Sequence, residues 1–64
     1  MRTIEASEVF EMVRGGAKLF IGRSSTGKLK LKLVRGPFGL FVSRYLIEEN
    51  QCDILKTKLK NLKH

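Results

Sequence analysis

The chain has no tryptophan, one proline, one cysteine and one histidine among its 64 residues. Each scarcity removes a class of explanation. A lone cysteine, Cys52, forbids an internal disulfide. With a single histidine at the very end, His64, the chain cannot assemble the roughly four converging ligands of a structural zinc site. An unpaired cysteine suits a reducing compartment, so a cytoplasmic location is expected. No apolar run approaches the ~20 residues of a membrane span. The N-terminal segment mixes Arg2 with Glu5, Glu8 and Glu11 where a signal peptide would carry an apolar core. The sequence therefore predicts a soluble domain with no membrane partner, no metal and no cofactor.

Catalytic groups are equally scarce. Cys52 falls on an apolar helical stripe and has no histidine nearby in sequence to activate it. Glu48 and Glu49 are adjacent, which is not an acid/base arrangement across a substrate. The expectation is a protein that binds and does not catalyse.

The most informative absence is of acid. Residues 18–46 contain Lys18, Arg23, Lys28, Lys30, Lys32, Arg35 and Arg44 and not one aspartate or glutamate. Elsewhere the signs mix: Glu48, Glu49 and Asp53 cluster just beyond that block, and Lys56, Lys58, Lys60 and Lys63 follow. The net charge of +7 is thus concentrated in one continuous stretch. A one-signed surface attracts polyanions: nucleic acid, an anionic membrane or an acidic protein.

Within that block stands the clearest pattern in the chain, Lys28-Leu29-Lys30-Leu31-Lys32-Leu33-Val34. Its period of two is that of a half-buried strand, with Leu29, Leu31 and Leu33 on one side and Lys28, Lys30 and Lys32 on the other. The flanking segments read consistently with it. Residues 17–23 form a strand before it, Ser24-Ser25-Thr26-Gly27 a turn, Gly36-Pro37-Phe38-Gly39 a second turn of type I character, and residues 39–46 a third strand. The inward face of the third strand is ambiguous, because Leu40/Val42/Leu46 and Phe41/Tyr45/Ile47 both fit.

Helices bracket the strands. Ala6, Val9, Phe10 and Val13 share one helical face across residues 4–14, with Thr3 or Ser7 as the N-cap and Gly15-Gly16 as the stop. If Ser7 is the cap, residues 2–5 become a short strand. Asn50 opens a last helix, paired with Asp53 in a capping arrangement, whose stripe is Cys52, Leu55, Leu59 and Leu62 and whose basic face holds Lys56, Lys60 and Lys63. The predicted fold is one α+β domain over residues 1–64: helix, three-stranded antiparallel meander, helix, with both helices packed on one sheet face. A chain of this size buries only about 60% of its unfolded surface, so a homodimer is expected as added support.

Two patterns invite a wrong reading. Gly22-Arg23-Ser24-Ser25-Thr26-Gly27-Lys28 matches the phosphate-loop spacing, but Leu29 stands where a magnesium-holding hydroxyl is required, and a strand follows where a helix must start. The order helix–strand–strand–strand–helix is similar to that of the double-stranded RNA-binding domain. That family sets a lysine cluster at the start of its second helix, and this chain has Asn50-Gln51-Cys52-Asp53 there, so no family is assigned. Sheet-in-groove DNA-binding modules offer a fold-level analogy only.

The open sheet face is the expected site. It would hold Lys18, Phe20, Lys28, Lys30 and Lys32, joined by Phe41 and Tyr45 if the third strand turns that way, with Arg23, Arg35 and Arg44 nearby. Cations neutralise phosphates and aromatics stack on bases. The expected function is a small accessory or regulatory nucleic-acid-binding protein, of the kind phages and plasmids carry. The alternative is a protein-interaction module or small inhibitor that docks the same basic face, or a sheet edge, on an acidic partner.

Overall fold

The computed structural model describes residues 1–62; Lys63 and His64 lie outside the described residues. The elements run α1 (Ala6–Arg14), β1 (Lys18–Arg23), β2 (Leu29–Arg35), a single 3-10 turn (Pro37–Gly39), β3 (Phe41–Leu46) and α2 (Glu49–Leu62). The three strands form one antiparallel sheet in the order β1-β2-β3, so the lysine–leucine strand is central. The α+β helix–meander–helix architecture is as the sequence predicts.

The alternation in β2 sorts the molecule into layers. Leu29, Leu31 and Leu33 are buried while Lys30 and Lys32 are exposed. The buried leucines join Ile4, Ala6 and Val9 from the N-terminal segment and α1, and Ile47, Cys52 and Leu55 from the approach to α2 and α2 itself. Phe10, Val13, Leu19, Tyr45 and Leu59 pack partly buried around them. The helical stripes read from the sequence are therefore the ones used, except that Leu62 at the end of α2 stays exposed. Cys52 is a free, buried core residue.

Register resolves the third strand. Tyr45 pairs with Leu31 and Ser43 with Leu33, so β3 turns Tyr45 toward the helices. Ile47, two residues beyond, is buried as well. Val42 and Arg44, opposite Val34 and Lys32, face the other way.

The start of α1 differs from both capping expectations. Glu5 occupies the N-cap position and makes no side-chain capping bond. The donor at Ala6 N–H is instead satisfied by Gln51 Oε1 of α2 at 2.9 Å. Thr3 makes a parallel bridge to Leu46, and Ile4 N–H donates to the Leu46 carbonyl at 2.8 Å. The N-terminal segment thus runs beside β3 before the helix starts, close to the short-strand alternative. The Asn50–Asp53 pair is also absent from the capping geometry: Asn50 Oδ1 accepts from the neighbouring Gln51 N–H. Replacing Gln51 with alanine should leave the Ala6 donor without its partner and cost about 1 kcal/mol. Thermal unfolding would then shift down by about 4–8 °C in a domain this small; an unchanged midpoint would show that water replaces the amide at no cost.

The second turn is a left-handed corner. Gly36 lies at φ +86°, and a side chain there would run into the Phe41 ring, 2.7 Å from where its Cβ would sit. Phe38, at the third turn position, has φ +63° and ψ +15°. That conformation belongs to a type II turn and not to the type I turn its composition suggests.

Candidate polyanion interface on the open sheet face

The face of the sheet away from the helices is set by strand pairing. Its rows are Lys18–Val34–Val42, then Phe20–Lys32–Arg44, then Gly22–Lys30–Leu46. Lys28, just before β2, is exposed and continues the alternation; its carbonyl accepts from Ser24 N–H at 2.9 Å and closes the first hairpin. The closure by a strand confirms that the Gly22–Lys28 stretch has hairpin geometry and not that of a phosphate loop.

Of the residues marked in the sequence, the fold brings together Lys18, Phe20, Lys28, Lys30, Lys32 and Arg44 on this face. It does not bring the other four there. Tyr45 faces the helices, with the Arg2 guanidinium 5.3 Å from its ring centroid. Glu8 bonds Arg2 at 3.1 Å and pushes that guanidinium's pKa further up, by hydrogen bond first and charge second. Phe41 pairs with Arg35, and both alternate to the helix side at the far end of the sheet. Arg23 also alternates inward; it donates to the Gly27 carbonyl at 2.9 Å and to Glu49 of α2. In β3 the aromatics Phe41 and Tyr45 and the arginine Arg44 occupy opposite parities, so they cannot share a face, while Arg23 and Arg35 share the parity of the buried leucines of β2.

Three ion pairs occur among the described residues, Arg2–Glu8, Arg14–Glu11 and Arg23–Glu49, and none involves a cation of the open face. Lys32 and Arg44 stand directly opposite each other in the ladder. Like charges so placed are destabilising. Among the described residues Lys32 makes a cation–π contact, its Nζ 5.0 Å from the Phe20 centroid. Phe20 is therefore half covered by its own lysine.

Sequence reasoning missed two contributors. Gly22 has open space where a side chain would stand. A shallow groove of about 320 Å³ forms there, lined by Met1, Phe20, Gly22, Lys30, Lys32 and Arg44 among others. Met1 reaches this face because the N-terminal segment runs beside β3, a long-range pairing with no local signal. The acid-free groove presents only hydrogen-bond donors and apolar surface. Among the described residues of the three strands on this face, no side chain is a hydrogen-bond acceptor, as its rows show. No group of three or more histidine, cysteine or acidic residues able to hold a metal lies together among the described residues, and no helix is long and apolar enough to cross a membrane.

Comparison with known proteins adds no assignment: no family model, curated protein or solved structure matches the chain.

Proposed function

We propose that this is a small, non-enzymatic nucleic-acid-binding protein that holds the phosphate backbone on its open sheet face. The observation that carries this reading is the unpaired cationic row. Lys32 and Arg44 oppose each other with no carboxylate in reach, an arrangement that costs stability in the free protein and is relieved by a polyanion. Lysines recurring every second residue of a strand are spaced about 6.8 Å apart. That row places several cations along one run of a phosphate backbone. The groove at Gly22 gives such a backbone a place to approach closely.

The test is a fluorescence-anisotropy titration with generic DNA and RNA at several salt concentrations. With about four phosphates neutralised, affinity should fall by about two orders of magnitude between 50 and 200 mM salt. Binding that ignores salt would overturn the reading.

One observation favours the protein-docking alternative. Strand β1 pairs only with β2, so its outer edge is unpaired among the described residues, and Ile21 beside it is exposed. An extended segment of a partner could add there. Failure to shift any nucleic acid, combined with capture of an acidic protein that the β1 edge mutation Ile21→Pro abolishes, would favour this second reading.

A further inference from the structure

The Gly36–Gly39 turn carries a feature that phosphate binding does not use. Phe38 is 97% exposed and sits at φ +63°. A bulky residue in the left-handed region is an outlier, and exposing a whole aromatic ring adds a second cost. Nothing in the fold compensates either one, since Phe38 belongs to no buried cluster. The surroundings are specific. Lys18, Val34 and Arg35 line the same groove as Phe38, a cavity of about 380 Å³ at the end of the sheet. Leu40 and Val42 are exposed beside it. The open face therefore changes along β2 from a cationic track at Lys28, Lys30 and Lys32 to an apolar tip at Val34 and Val42, with Lys18 on the same face and Arg35 at the end of the sheet lining the Phe38 groove.

Resting on the reading that the face binds nucleic acid, we infer that Phe38 is a wedge that inserts between stacked base pairs of duplex DNA at the end of the phosphate track. Three observations favour that occupant. The cations run in a line along the strand, so a linear polyanion meets Lys28 through Lys32 and the tip together, whereas a flat anionic bilayer taking the tip would meet only Lys18 and Arg35. Among the described strand residues the face has no acceptor side chain, so its lysines and arginine can donate only to phosphates and to base acceptors such as guanine O6 and N7, and discrimination at other bases must come from deformability. Phe20, the other aromatic on the face, is half-buried with Lys32 Nζ 5.0 Å from its ring centroid, which leaves Phe38 as the ring that projects fully. A single-strand groove uses successive stacking platforms; one projecting ring suits one opened base step, with the duplex kinked around it.

The experiment uses a 20-base-pair duplex with a central TA step, dyes at both ends, the full chain, and its Phe38→Asn and Phe38→Leu variants. Asparagine tolerates the left-handed backbone and keeps the turn; leucine keeps an apolar wedge. Binding of the native chain should raise energy transfer by bending the duplex. Phe38→Asn should bind about tenfold or more weakly with an unchanged salt slope and no bend, and Phe38→Leu should restore part of the bend. If the native chain binds and Phe38→Asn matches it in affinity and bend, the wedge is overturned and phosphate binding stands. If the native chain binds no nucleic acid, both fall. If Phe38→Asn weakens only single-strand binding, only flotation with phosphatidylserine vesicles, or only self-association, the ring serves that ligand and the wedge is overturned.

Discussion

Replacing Leu31 with alanine is expected to remove about half of the domain's stability at 25 °C. Leu31 is 1% exposed and lies at the middle of the central strand, between Ile21 of β1 and Tyr45 of β3. Both helices close over the same cluster. Truncating a buried leucine costs about 2–5 kcal/mol, and more where the site cannot collapse. Here the strand is held on both sides, so collapse is restricted. A domain of this size has only about 3–10 kcal/mol of stability to lose, with no disulfide to limit the unfolded chain. Urea unfolding followed by far-ultraviolet circular dichroism measures the loss. Val34→Ala, in the same strand but turned to the open face, is the comparison and should cost under about 1.5 kcal/mol. Equal losses at the two positions would mean that the sheet faces are assigned wrongly.

The second large effect concerns binding. Reversing Lys30, Lys32 and Arg44 together to glutamate removes three adjacent cations from one ladder and places three acids on the track. If each contacts one phosphate, affinity for generic DNA at 0.1 M salt should drop by about 500-fold, and the salt slope should fall by about 3. Folding should survive, because all three side chains are exposed. Reversing Lys56, Lys58 and Lys60, all exposed on α2, changes the net charge by the same amount away from the sheet. That control should weaken binding by about tenfold or less, through long-range attraction alone. Equal losses in the two variants would mean that charge is felt without any located site.

The parts of this molecule that were legible in the sequence are those in which neighbours along the chain dictate geometry. The Lys28–Val34 alternation fixed which leucines are buried because the period of a strand leaves no other arrangement. The α1 stripe and the Gly15-Gly16 stop are likewise local. Three features were not legible. The parity of β3 depends on its register against β2, and both faces of that strand are apolar enough to serve. The cap of α1 comes from Gln51, which no window around Ala6 contains. The left-handed Phe38 was hidden because Pro-Phe-Gly composition points to a type I turn, and nothing nearby signals a strained phenylalanine. The candidate site followed the same division. Its lysines could be placed from the alternation, which also gives Arg35 the parity of the leucines, whereas the faces of Phe41, Tyr45 and Arg23 depend on pairing across strands.

The amide that caps α1 also sets an order of events during synthesis. The contact joins residues 45 positions apart, and the Thr3–Leu46 bridge spans nearly as far. While the ribosome is still extending the chain through β3, the first helix has neither its cap nor its edge pairing. A nine-residue helix is too short to hold itself together in water. The two hairpins can close early because their pairings are local, but the N-terminal segment must wait for Leu46 to pair and for α2 to bring Gln51 to its cap. The nascent chain therefore presents its cationic sheet before the apolar side is covered. Ribosomal RNA is the nearest polyanion at that moment, and a ribosome-bound intermediate that releases at high salt, or once residue 51 clears the exit tunnel, is the expected signature.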